Sequence, residues 1–250
     1  DAEFEQANAA FERNDYAAAR RGWEALAGRG DGRAMLKLGW AELNAPAAWG
    51  PDAARGRQWY ERCAREARLA LCASNLAWEL ANGSHLPRDV AAARGWYEQA
   101  FALGQPSAAN EVGLIHLQGT GGAVDEAQAR AWFRKGADAR DPQAGYNLGI
   151  MLANGRGGAK DEAGALSATR AAAEAGHVDA MNNTAWFLQN GVGGPVDLAA
   201  ARSWYARAAD AGHVAAKANL AAMPPAPATP VAPSAPTPAA APARVVPSPA

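Results

Sequence analysis

Apolar residues recur along this chain at helical spacing, in blocks that open on an aspartate and close on a glycine. In one block Asp89 is followed by Ala93, Trp96, Tyr97 and Ala100, an apolar stripe that predicts a helix stopping at Gly104. Asp89 stands where an N-cap belongs, its carboxylate able to accept the free N–H groups of the first turn. Gly104 supplies the left-handed stop, as Gly176 and Gly212 do in later blocks. A second helix follows each block; it carries Ala-x-x-x-Leu-Gly, as in Ala144 to Gly149, and closes on Asn154-Gly155. Each mid-helix glycine costs about 0.5–1 kcal/mol relative to alanine, which fits a position faced closely by a neighbouring helix.

The blocks are copies of one unit. Asp89, Asp125, Asp161 and Asp197 stand 36 residues apart, as do Gly83, Gly119, Gly155 and Gly191. A period of this size means stacked supersecondary units rather than a closed globule. Units run over 16–51, 52–88, 89–124, 125–160, 161–196 and from 197 to about 223, so residues 16–223 read as six helical hairpins. Residues 1–15 read as an N-terminal capping helix, with Phe4, Ala7 and Phe11 on one face; such an end unit stops further stacking. Residues 224–250 hold ten of the 16 prolines and one charge, Arg244; this composition predicts a disordered tail.

Composition narrows the function classes. Twenty-five acidic residues balance 24 basic ones, for a net charge of -1, without the basic footprint of a nucleic-acid binder. No apolar run approaches the 18 to 20 residues of a membrane span.

Trp132-Phe133, Ala137, Ala144, Leu148-Gly149, Gly155-x-Gly157 and Asp161, with counterparts in the other units, resemble the SLR family. These Sel-like repeats are relatives of the tetratricopeptide repeat, and the likeness covers roughly residues 16–223. It implies an all-α, right-handed superhelical solenoid of about thirteen helices, and a protein–protein adaptor without cofactor. It also implies that the second helices line the concave surface. The first unit, Phe11 to Tyr16 with Ala19, Trp23 and Leu26-Ala27, is closer to a generic tetratricopeptide.

Cys63 and Cys72 occupy places where other units carry small residues, Ala100 and Gly136 for the first, Ala108 and Ala144 for the second. Both places face the seam of one hairpin, and position alone allows either a bridge or two small buried thiols. Cysteine-rich secreted members of the SLR family bridge a hairpin at these two positions, so the resemblance implies a Cys63–Cys72 disulfide. Here eight residues intervene instead of seven. A bridge implies an oxidising compartment, and the expected location is periplasmic or secreted.

Several signals resemble chemistry without carrying it. Gly119-Thr-Gly-Gly122, Gly155-Arg-Gly-Gly158 and Gly191-Val-Gly-Gly194 follow no predicted strand and do not continue into Gly-Lys-Ser/Thr; they read as turns between units. His177 and His213 sit in matched Gly-His-Val turns, where a structural role is expected. No histidine has a second at metal-ligand spacing, and no Ser or Thr has a neighbouring His–Asp arrangement. An enzyme is not expected.

The candidate site is a partner-binding groove. One residue after the Leu-Gly position, successive second helices carry Trp40, Trp78, Leu114, Ile150 and Trp186. These are either core or groove anchors; the groove reading adds Asn110, His116, Tyr146 and Gln189 as polar neighbours. The fifth unit breaks the pattern: Ala168-Thr169 replaces the Trp-aromatic pair, leaving a pocket or soft joint unless Trp186 and Phe187 fill the volume.

The expected function is a monomeric, non-enzymatic exported scaffold that binds another protein through the groove. The resemblance implies two narrower alternatives. One is a periplasmic immunity protein that neutralises a secreted antibacterial effector; the other is a β-lactam-binding or hydrolysing cysteine-rich SLR protein.

Overall fold

A computed structural model describes residues 2–224; of the tail expected over 224–250, all but Pro224 lies outside the described residues. An N-terminal helix α1 (Ala2–Glu12) is followed by hairpins of α2 (Tyr16–Gly28) with α3 (Gly32–Asn44), and α4 (Ala53–Arg65) with α5 (Ala70–Asn82). Next come α6 (Val90–Ala102) with α7 (Ser107–Gln118), and α8 (Glu126–Asp138) with α9 (Pro142–Asn154). The last hairpins pair α10 (Glu162–Glu174) with α11 (Val178–Asn190), and α12 (Leu198–Asp210) with α13 (Val214–Ala222). A short 3-10 turn, Ala47–Trp49, precedes α4. Each helix packs on its sequence neighbours, and no strand occurs among the described residues. The fold is an all-α solenoid.

Local chemistry accounts for the helix ends. Asp89, Asp125, Asp161 and Asp197 each accept the N–H three residues on, at 2.8–2.9 Å, satisfying a first-turn donor. His177 and His213, expected merely as turn residues, do the same work: each Nδ1 accepts from Ala180 or Ala216, at 3.2 and 3.0 Å. At the far ends, Gly83, Gly119, Gly155 and Gly191 adopt left-handed C-cap conformations, so the glycine-rich segments are turns.

Units interlock through a ring and a hole. Tyr60 and Phe133, the second residues of their aromatic pairs, are buried against the preceding second helix. A Cβ on Gly39 would come 2.6 Å from the Tyr60 ring, so only glycine leaves room. Buried apolar side chains form two clusters, Phe4 to Ile115 and Ala129 to Met223; Trp132 packs on the first while Leu114 and Leu117 pack on the second, joining them.

Cys63 on α4 and Cys72 on α5 are fully buried and disulfide-bonded, their Cα atoms 5.9 Å apart. The extra intervening residue is accommodated in a connection where Arg68 takes a left-handed φ of 55°.

Candidate docking face on the second helices

The stripe residues sit at one helical position on α3, α5, α7, α9 and α11. Trp40, Trp78 and Trp186 are 41%, 51% and 47% exposed, whereas Leu114 and Ile150 are half-buried. Beneath four of them an asparagine fixes the backbone. Asn44, Asn82, Asn154 and Asn190 donate to the carbonyls of Trp40, Trp78, Ile150 and Trp186, at 2.8–3.0 Å. Each of these positions is thus held by a closed last turn beneath it.

A cavity of about 320 Å³ opens beside Trp78. Leu114 and Tyr97 line it together with Arg88, Glu111 and Gln118, a mixed apolar and polar wall. Burial, followed by the Glu111 charge, raises the Tyr97 phenol pKa well above its ordinary value, so this hydroxyl remains a neutral hydrogen-bonding group.

Polar bridges join successive second helices. Asn147 donates to Asn110 at 2.7 Å, and Asn219 donates to Asn182 at 3.1 Å, each pair spanning one unit. Tyr146 stacks on His177 with ring centroids 4.5 Å apart. Its phenol is raised by burial and by Asp179, with Asn183 opposing the shift. Tyr205 donates to Gln189 at 3.0 Å.

The structure corrects two of the expected groove residues. Asn110 is only 5% exposed; its side chain is committed to Asn147 and to Glu111, leaving it a strut between helices rather than a free contact. His116 stands two residues past Leu114, in the column of the buried Leu80, Leu152 and Leu188, which turns it off the stripe. Tyr146 and Gln189 remain near the stripe but are engaged by neighbours. Sequence reasoning missed Asn147, Asn183 and Asn219, although their own 36-residue spacing was a signal. It also missed Arg88, and Glu111, which stands in that same column 36 residues before Asn147 as the exception to its asparagines.

Another polar centre lies at the N-terminal end. Glu42 is buried and paired with Arg20 at 3.3 Å and with Arg55, and its Oε2 accepts from the Asp52 N–H at 3.2 Å. Burial raises its carboxyl pKa against the pull of Arg20. This centre ties α2, α3 and α4 together. Among the described residues no group of three or more His, Cys, Asp or Glu could hold a metal ion. No helix among them is long and apolar enough to cross a membrane.

A solenoid of hairpins with an apolar stripe on one helix layer defines a helical-repeat scaffold. The chain belongs to the Sel1 repeat family, which matches at residues 32–66, 70–105, 106–141, 142–177 and 178–213. Each match runs from a second helix into the next first helix, and those at 32–66 and 106–141 span the interlock of ring and glycine. One similar solved structure is c5321, a protective antigen present in uropathogenic Escherichia coli strains and displaying an SLR fold. It is 26% identical with a TM-score of 0.71, over 81% of this chain and 43% of that one. A Sel1 repeat protein from Oxalobacter formigenes is 24% identical with a TM-score of 0.67, over 82% of this chain and 59% of that one. This chain therefore spans about two- to three-fifths of the length of these structures. No curated protein matches it.

Proposed function

We propose that this protein is a non-enzymatic, exported scaffold that binds another protein across the face of its second helices. Sel1 repeats form helical scaffolds typical of protein interaction. The observation that carries the reading is the exposure of Trp40, Trp78 and Trp186 at one repeated position. Three half-exposed indoles on a single helix layer are costly to leave in water and are the residue type that most often anchors interfaces. The cavity beside Trp78 gives an anchor from the partner a place to enter, with Arg88 and Glu111 at hand for hydrogen bonds. The Cys63–Cys72 bridge supports an oxidising location.

The test is to recover partners with the full chain and with Trp78→Ala and Trp186→Ala. A specific protein retained by the native chain and lost with either variant, at unchanged helix content, supports the docking face. Equal recovery by all three places binding elsewhere.

A further inference from the structure

Four first helices carry a tryptophan under a cation. Arg62 lies 4.9 Å above Trp59, Arg65 5.3 Å above Trp96, Lys135 3.6 Å above Trp132 and Arg207 4.1 Å above Trp204. Trp132 also meets Phe101 of the preceding first helix edge-on at 5.8 Å. The indole is therefore a wedge between one unit and the next, with its open face covered by positive charge.

The fifth unit lacks both parts. Ala168 stands seven residues after Asp161, where the indole belongs, and Ala171 stands where Arg62, Lys135 and Arg207 stand. Neither Trp186 nor Phe187 reaches the hollow's lining: Trp186 is exposed, and Phe187 is buried elsewhere in the core. A hollow of about 310 Å³ remains, lined by Ala137, Gly145, Ala168, Ala171, Ala172 and Arg140. Ala137 is the counterpart of Phe101, so the hollow occupies the place where Trp132 wedges one unit earlier. The first unit also has a small residue here, Gly22, and a hollow of about 440 Å³ lies beside it. There α1 comes close, since a Cβ on Gly22 would lie 2.8 Å from that of Ala7, and the wall is more polar, with Glu3, Gln6, Arg13, Asp15 and Arg29.

We infer that this hollow is a docking pocket for a tryptophan side chain of a partner protein. The ring would lie over the surface formed by Ala137, Gly145, Ala168 and Ala172, in the place the other units give to their own indole. Arg140 at the wall supplies the missing cation, and Asp141 or Glu174, which also line the hollow, can accept the indole N–H. Volume agrees, because apolar hollows of about 150 Å³ already take up a small aromatic ring. Residues 225–250 contain no aromatic, so this stretch of the chain cannot supply the ring. The pocket lies on the first-helix side and does not depend on the docking face proposed above.

The experiment titrates the full chain with N-acetyl-tryptophanamide and follows alanine methyl NMR signals. Saturable shifts confined to Ala137, Ala168, Ala171 and Ala172 are expected at about millimolar probe, as befits a fragment of this size. N-acetyl-alaninamide should give none. Ala168→Trp, which restores the repeat pattern, should raise Tm and abolish the shifts; should it fail to fold, Ala171→Phe blocks the hollow instead. Trp78→Ala and Trp186→Ala should leave the titration unchanged, which separates this pocket from the stripe. No saturable shift, or equal shifts in the blocked variant, would overturn the proposal. Probe-free shifts that grow with protein concentration and vanish in Trp186→Ala would instead assign the pocket to a second copy of the chain.

Discussion

Gly113 of α7 lies against the edge of the Phe133 ring of α8, so that a Cβ on the glycine would come 2.5 Å from Cε1. Gly39 and Tyr60 repeat the relationship two units earlier. The ring belongs to one unit and the hole to the one before, so at these two joints a unit is seated by its neighbour. This is how a chain of short helices becomes one stacked body.

Gly113→Ala should therefore destabilise the protein. Helix propensity favours the alanine by about 1 kcal/mol, but a methyl forced against a buried ring costs about 1–3 kcal/mol. Urea unfolding decides the sign. Adding Phe133→Leu should recover part of the loss, whereas additive losses would show that the two residues do not share the interlock.

The tryptophans separate by burial. Trp23 is 1% exposed, and its replacement by alanine should cost about 3–5 kcal/mol. Trp40, Trp78 and Trp186 are about half exposed, and the same replacement should cost no more than about 1–2 kcal/mol. Unfolding curves on the four single variants test this. Losses at the exposed sites that match Trp23 would remove the stripe from consideration as a free surface.

Reducing the Cys63–Cys72 bridge should lower stability by up to about 3 kcal/mol, the loop-entropy value for a closure of this length. Thiol counting on the unfolded, unreduced protein should find no free cysteine. Two reactive thiols in protein from an oxidising compartment would remove the support for an exported location.

The His177 cap predicts a response to acid. His177 accepts from the Ala180 N–H through Nδ1, and its Nε2 lies 3.0 Å from Gln143 Oε1, an arrangement that suits the neutral ring. Burial holds its pKa below the ordinary 6.5, although Asp179 and Asp141 pull the other way. The native state then binds this proton less readily than the unfolded chain. The contribution is complete above the unfolded value and drains as pH falls from there towards the folded one. Tm should drop between about pH 7.5 and about pH 5.5, and His177→Asn, which caps without titrating, should shrink the drop. An unchanged pH profile in the variant would show that the imidazole carries none of it.

Sequence periodicity revealed the helix pairs because the same local rules act in every unit. Asp89 and its counterparts cap, Gly83 and its counterparts stop, and the apolar stripe between them has one helical period. The column holding Trp40, Trp78 and Trp186 was legible for the same reason. Its exposure was not, because burial depends on what the adjacent unit places over each ring. Trp96 and Trp78 are both helical tryptophans, yet the first is 9% exposed and the second 51%.

The pattern at Ala168-Thr169 shows the same division. Spacing alone located the missing indole, since a repeat supplies its own standard of comparison. Whether neighbouring side chains would close the gap was decided by tertiary packing, through the positions of Trp186 and Phe187. Asn110 and His116 were misplaced on similar grounds. Their helix was determined by local chain chemistry, but His116 is two residues past Leu114, a turn of about 200°. Asn110, four residues before Leu114 and near the stripe, is taken up by a neighbouring helix. Only the packed neighbours, Asn147 for Asn110 and the leucine column for His116, establish which way each residue faces. What the sequence determined here is every property that a unit carries within itself; what only the tertiary structure decided is every property set by contact between units.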